Sequence, residues 1–352
     1  MADEVVLDIG GREEPQTLMG KIRERYNDPE ADKRHKVSAQ RWVRYLMVFQ
    51  TPTQLFMFHY YIIPCLFEDY DDWTRYYLKV FVTYLAIQGV VNYLCTVFYD
   101  TSISPSKDRP DLPGLTDWWN NPPDHFVSLH NQNGSVVLME SPDADESGFE
   151  TKYCEICKIY QPPRTHHCKL CDACILKRDH HCYMVGNCIG FKNQRYFVVL
   201  TFYAMIIGLI GGYFQYKYLQ IFYYPVSYAW TDFIPPVALY RWLFGRVDAM
   251  TLHICVMIIH VYLEFLFGFI GFIYFNSQMT IISKGKTMHE LAKFIPIRNV
   301  NNINRNFRSV FGDFWALNFF FPMQALFRQR DDGKTWEGIK LDHNANLQEK
   351  TN

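Results

Sequence analysis

The chain has 352 residues, with 35 Lys and Arg against 36 Asp and Glu, and so lacks the basic excess expected of a nucleic-acid binder. Apolar residues make up 49% and charged residues 20%, which excludes a mostly unfolded chain. A mean hydropathy of −0.14 conceals long charge-free stretches alternating with polar blocks that hold nearly all the Lys and Arg, the layout of a membrane protein.

Residues 1–44 are polar, with nine Lys/Arg and nine Asp/Glu, so no cleavable signal peptide is expected and the first membrane segment acts as its own signal. Four stretches qualify as spans: Leu46–Phe67, Tyr76–Tyr99, Tyr196–Tyr216 and Met250–Phe275. The first is the weakest, because Gln50, Thr51, Pro52, Thr53, Gln54 and His59 must face the bundle or a cavity. Residues 1–44, 100–195 and 277–352 hold nine, ten and eleven Lys/Arg, and the loop 217–249 holds three. Positive-inside bias then places both termini and the 100–195 block in the cytosol and the 217–249 loop outside.

The expected organisation is a mainly α membrane protein. A cytosolic tail (1–44) precedes helices 1–2 (45–100) and a cytosolic loop (101–195) with a cysteine-rich domain at about 152–197. Helices 3–4 (196–276) follow, with their outer loop, and then a cytosolic C-terminal region (277–352). The ends, 1–44 and 330–352, are expected to be flexible. Glu264 lies mid-span with His253 and His260 at offsets of eleven and four, which makes it a functional candidate or a pairing group for a polar neighbour. The sequon Asn133-Gly134-Ser135 falls in the cytosolic block, where no glycan is expected. No internal repeat is read.

Seven of the ten cysteines lie between Cys154 and Cys188, interleaved with His166, His167, His180 and His181. A cytosolic block of this kind favours metal over disulfides. A structural zinc site takes four ligands, so two sites use eight of the eleven candidates. Interleaved completion of the two Cys-x-x-Cys pairs puts Cys154, Cys157, His167 and Cys174 on one ion and Cys168, Cys171, His181 and Cys188 on the other. Spacing also permits other partitions, such as pairing Cys171 with Cys174. The interleaved assignment leaves His166, His180 and Cys182. In Asp179-His180-His181-Cys182, a carboxylate, an imidazole and a thiol fall within four residues, which is the logic of an activated cysteine nucleophile. A purely structural zinc knuckle with a spare cysteine is the competing reading.

These residues resemble the cysteine-rich domain of the DHHC family of protein S-acyltransferases (palmitoyltransferases). The resemblance covers Cys154 to Phe197 and rests on Arg164-x-x-His167-Cys168, Asp179-His180-His181-Cys182, Cys188, Asn193 and Phe197. It implies four transmembrane helices, cytosolic termini and a zinc domain between helices 2 and 3. It also implies two-step transfer of a long acyl chain from acyl-CoA to Cys182 and then to cytosol-facing cysteines of substrate proteins. Carried over, His180 is the base, Asp179 orients it and His181 ligates zinc. Lys152, Lys158, Arg164, His166, Lys177 and Arg178 are candidates for the phosphates of the CoA head group.

Two departures stand out, while the family's C-terminal element is recognisable. The family's Pro-Trp after the catalytic cysteine is Tyr183-Met184 here, and its Thr-Thr-x-Glu is Thr287-Met288-His289-Glu290. The C-terminal element reads Asn306-Phe307-Arg308-Ser309-Val310-Phe311-Gly312, followed by the aromatic-rich Phe314–Phe327, expected in the membrane interface or beneath the zinc domain. The expected partners are acyl-CoA, substrate proteins and the bilayer, with no nucleic acid, and the expected location is Golgi or endoplasmic reticulum rather than plasma membrane. A catalytically silent zinc-stabilised scaffold and a Glu264-based transporter are the alternatives.

Overall fold

The computed structural model describes residues 29–103, 148–149, 151–226, 229–244, 251–320, 329 and 331–342. The sequon at Asn133 and most of the 101–150 segment lie outside the described residues, as do residues 1–28.

The chain opens with helix α1 (Pro29–Met57), which continues through a π-helical turn (Phe58–Ile62) into the short α2 (Ile63–Leu66). Helix α3 (Asp72–Phe98) starts where the Asp71 carboxylate accepts a bond from the Thr74 amide. Helix α4 (Gln194–Tyr218) runs on through irregular helical turns to Val226. The Pro235-Pro236 segment begins the ten-residue helix α5 (Pro235–Phe244), whose Arg241 pairs with the buried Asp232 at 2.8 Å. Helix α6 (Leu252–Ser283) completes the bundle.

Among the described residues, three helices are long and apolar enough to cross a membrane: Asp72–Phe98, Gln194–Val226 and Leu252–Ser283. The first helical run is not among them, because the polar string Gln50–Gln54 lowers its hydropathy. Those polar residues have partners inside the bundle. Gln50 donates to Glu264 at 3.0 Å, and Gln54 also hydrogen-bonds that carboxyl, so Glu264 pairs with polar groups from α1. His253 instead stacks on Tyr61, with ring centroids 4.6 Å apart.

Helices α4 and α6 pack backbone against backbone. A Cβ added at Gly208 would lie 2.5 Å from the Glu264 carbonyl oxygen and from Gly268 Cα, and one at Gly271 would lie 2.7 Å from the Met205 amide. Small residues allow this close approach, which in lipid supplies the packing that hydrophobic burial cannot. Gly208→Val should therefore destabilise the bundle by about 1–3 kcal/mol or more. Thermal unfolding in detergent checks this, and an unchanged midpoint would refute it.

Beyond α6, a Thr287/Glu290 capping box begins helix α7 (Met288–Ala292). Strand β7 (Ile297–Asn299), helix α8 (Ile303–Phe311) and strand β8 (Ile339–Leu341) follow, with β7 and β8 paired antiparallel. The aromatic segment folds back on the helices. Phe319 packs among Phe202, Phe275 and Phe311, and its carbonyl accepts from Tyr203 at 2.5 Å.

Two expectations about the ends are corrected. Helix α1 begins at Pro29, inside the segment expected to be flexible. Residues 331–342 are also ordered, because Trp336 and Ile339 are buried against Phe149, Leu176, Phe191 and Ile297.

Candidate functional site

Between α3 and α4 lie three short antiparallel hairpins: β1 (Lys152–Cys154) with β2 (Ile159–Gln161), β3 (His166–Cys168) with β4 (Ala173–Ile175), and β5 (His180–Cys182) with β6 (Asn187–Ile189). In β3–β4, His167 stands opposite Cys174, and in β5–β6, His181 stands opposite Cys188. Each of these cross-strand pairs meets the Cys-x-x-Cys turn of the preceding hairpin. The ligand atoms of Cys154, Cys157, His167 and Cys174 lie within 4.8 Å of one another, as do those of Cys168, Cys171, His181 and Cys188. Two groups of three thiols and one imidazole at this separation can each hold a metal ion and fit a tetrahedral, sulfur-rich site. In each group the histidine turns Nδ1 towards the sulfurs, 3.3 Å from Cys157 for His167 and 3.3 Å from Cys171 for His181.

The hairpins expose an internal repeat that the sequence reading missed. Cys154, Cys168 and Cys182 recur every 14 residues, as do Lys158, Asp172 and Gly186, all three with positive φ at the turn. In the third copy Val185 stands where Cys157 and Cys171 stand in the first two. Cys182 therefore occupies a knuckle position with no second cysteine. The signal was available in the spacing, but only three of the seven cysteine positions carry it through all copies.

Strand alternation then sorts the DHHC string. With His181 on the metal-cluster face, His180 and Cys182 share the other face of β5. His180 Nδ1 lies 2.8 Å from Asp179 Oδ2, its Nε2 is buried without a hydrogen-bond partner among the described residues, and the Cys182 sulfur is within electrostatic reach of the ring. The ring stacks on Tyr274 with centroids 5.7 Å apart and meets Phe197 edge-on at 5.1 Å. Asp179 is fully buried and also accepts from Gln278 Nε2 at 2.6 Å and the Met288 amide at 2.7 Å. Burial alone would raise its pKa, but His180 and these donors hold the carboxyl below its ordinary value. Burial works against the charged imidazole, yet Asp179 and the Cys182 sulfur raise His180 to about 9. The Met288 backbone N–H binds Asp179 where the family's second threonine is missing from the sequence. Sequence reasoning missed Gln278 and gave Met288 no role, since both lie about a hundred residues from Asp179.

Asn187 and Asn193 anchor the third hairpin to α3. Asn187 Nδ2 lies 3.1–3.3 Å from the Thr96, Val97 and Tyr99 carbonyls, and Asn193 Nδ2 donates to the Cys188 carbonyl at 2.9 Å. The Asn187 bonds use carbonyls that the end of α3 would otherwise leave unsatisfied.

The basic candidates divide. Arg164 turns inward, with Nε 2.5 Å and Nη2 2.8 Å from the two oxygens of Glu290, and its guanidinium lies over Trp336 at 4.7 Å. Lys177 is fully buried over the same ring, and burial beside Arg164 lowers its amine to about 8. His166 and Arg178 meet His289: the two rings are 4.1 Å apart, and Arg178 donates to His289 Nδ1 at 3.0 Å. Burial, reinforced by those two neighbours, lowers His166 to about 4, so it offers a hydrogen bond rather than a charge. Lys152 and Lys158 remain exposed, and Lys152 borders a cavity of about 250 Å³ with Arg164, His166 and Glu290.

Residues 147–295 match the family model described as DHHC palmitoyltransferase. This stretch therefore resembles a DHHC palmitoyltransferase domain. The chain is also similar to relatives described as palmitoyltransferases. Palmitoyltransferase erf2 of Neurospora crassa is 40% identical over 142 residues, 38% of this chain and 18% of that protein. Palmitoyltransferase PFA3 of Yarrowia lipolytica is 25% identical over 295 residues, 77% of this chain and 68% of the relative. Palmitoyltransferase ERF2 of the same yeast is 33% identical over 137 residues, 37% of this chain and 33% of its own length. The chain thus spans less than a fifth of the first relative and about two thirds of the second.

Proposed function

We propose that the protein is an integral-membrane protein S-palmitoyltransferase that moves a long acyl chain from acyl-CoA to Cys182 and then to cysteines of substrate proteins. The observation that carries this reading is the shared face of His180 and Cys182, with the imidazole tied to a buried carboxylate. In the first step Cys182, its proton held by His180, attacks the thioester carbonyl as the thiolate. The carbon–sulfur bond to CoA breaks, and the departing thiolate takes the proton from His180. In the second step a substrate thiol gives its proton to His180 and attacks the acyl-enzyme, and Cys182 leaves as the thiolate. One thioester replaces another, so the chemistry demands positioning and a good thiolate rather than a large driving force.

In this reading Cys154, Cys157, His167 and Cys174 hold one zinc ion and Cys168, Cys171, His181 and Cys188 a second. Bound zinc would cross-link each hairpin to the next. The first helical run crosses the membrane as a fourth span with its polar side against Glu264, both termini are cytosolic, and the compartment is Golgi or endoplasmic reticulum. His166 and Arg178, joined by His289 and with Lys152 nearby, face the CoA head group, while Arg164 and Lys177 support the domain from within. An apolar cavity of about 190 Å³ lined by Phe58, Leu78, Phe81, Leu85, Ile207 and Phe214 accommodates the end of the acyl tail. Burial of the tail contributes about 0.8 kcal/mol per methylene.

The test is labelling of purified, detergent-solubilised protein with a clickable palmitoyl-CoA analogue, with zinc content measured on the same samples. Wild type should take label that neutral hydroxylamine releases, and Cys182→Ser should take none while zinc stays at about two per chain. A wild type with filled metal sites and no label would refute the acyl-transfer reading and leave the scaffold in its place.

A further inference from the structure

The first two hairpin turns each contribute two cysteines to a metal-binding group, but the third, with Val185 in the second position, does not. Yet this turn directly follows Cys182, and the Gly186 amide donates to the Cys182 carbonyl at 2.9 Å. What lies against it comes from α1. Gln40 and Arg44 are one helical turn apart and so share a face. Gln40 is buried, with its side-chain amide 2.9 Å from His181 Nε2, on the side of the ring opposite the sulfurs.

The Arg44 guanidinium lies flat over Gly186. A Cβ at that position would be 2.9 Å from Cζ, Nε and Nη2 alike, so only glycine leaves room for it, and Gly186 also has φ +63°. Arg44 Nε is buried without a hydrogen-bond partner among the described residues. The Tyr93 hydroxyl donates to the Met184 carbonyl of the same turn at 3.4 Å, within electrostatic reach of both Arg44 and Cys182.

We propose that Gln40 and Arg44 take the place that a metal group holds at the other two turns. They clasp the third hairpin from both sides of Cys182 and are positioning residues for acyl transfer. Gln40 acts through His181, in the way that outer hydrogen bonds orient metal-binding imidazoles. Arg44 acts by contact with the turn. The inference rests on the acyl-transfer reading and makes the cytosolic end of α1 part of the machinery that presents the nucleophile.

Single-turnover labelling of the full-length protein with the same palmitoyl-CoA analogue tests the clasp. Arg44→Met and Gln40→Leu should each lower the maximal rate of Cys182 acylation about tenfold to a hundredfold, the scale of a misplaced nucleophile, with apparent KM within about twofold of wild type. Zinc should remain at about two per chain, which separates misplacement from unfolding. Gly186→Ala should show a similar loss, and adding Arg44→Met to it should cost no more than about a further twofold, because both changes break one contact. Multiplying losses, unchanged rates, or a raised KM at constant maximal rate would each overturn the proposal. Amide exchange of residues 183–187 adds a readout independent of chemistry. It should be about tenfold faster in Arg44→Met while exchange at 169–172 is unchanged, and equal exchange would also overturn the clasp. An unlabelled wild type would refute the acyl-transfer reading, and with it a positioning role, whereas the exchange result separately decides whether the contact holds the turn.

Discussion

Asp179→Asn is expected to slow acylation of Cys182 by about a hundredfold to ten-thousandfold while the protein stays folded with its metal sites filled. The reason is donor arithmetic. Asp179 receives bonds from the His180 ring, the Gln278 amide and the Met288 backbone amide, and all three point donors at its two oxygens. An asparagine supplies one oxygen and one NH2 group, so a donor must face a donor. If the ring loses Asp179 as acceptor, nothing fixes the hydrogen on Nδ1, and Nε2 is no longer kept free to take the Cys182 proton. Rapid-quench measurement of acyl-enzyme formation, with zinc content as control, checks this. A rate within about fivefold of wild type would show that Asp179 does not set the imidazole's role. Gln278→Leu should show a smaller loss of the same kind, because it removes one of the three donors and leaves the carboxylate in place.

The second large effect concerns stability. Arg164→Ala should cost about 3–5 kcal/mol, because it leaves the buried Glu290 carboxylate without its cation. Arg164 holds both oxygens of Glu290, donates to the Gly285 carbonyl at 2.9 Å and lies over Trp336, while Glu290 accepts from the Thr287 amide at 2.7 Å. Burial alone would raise the Glu290 pKa, and Arg164 holds it below the ordinary value. Arg164→Met combined with Glu290→Gln should be less damaging than Arg164→Ala alone, since no uncompensated charge remains. Thermal unfolding of the three proteins in one detergent decides the matter. If the double variant is the least stable, the pair is not what holds α7 and the C-terminal segment to the hairpins.

Much of the fold was legible because it is written locally. Apolar stretches mark α3, α4 and α6, and the interleaved grouping of the Cys and His residues, one of the partitions that spacing allows, is the one whose side chains the structure brings together. Both depend on short-range rules, helix length against bilayer thickness and the Cys-x-x-Cys turn. What was not legible depends on tertiary approach. Arg164 and Lys177 read as candidates for the CoA phosphates, but the partners that turn them inward, Glu290 and Trp336, lie more than a hundred residues away. Gln278 and His289 look like unremarkable polar residues near the end of an apolar helix until the chain returns them to Asp179 and Arg178. Gln40 and Arg44 were hidden by an expectation of disorder, because a polar amphipathic stretch gives no sign of what it packs against.

The glycine contacts between α4 and α6 have a mechanical consequence. Two backbones in van der Waals contact at Gly208 and Gly268 cannot slide along each other without a collision, whereas the long side chains lining α1 and α3 yield by changing rotamer. The α4–α6 pair is thus a fixed post, and any breathing of the bundle falls to the opposite wall. Gln278, at the end of that post nearest the hairpins, accepts from Gln194 at 3.0 Å and donates to Asp179. The carboxylate behind His180 is thereby referenced to the stiffest part of the molecule, and its position is insulated from whatever occupies the space between the helices.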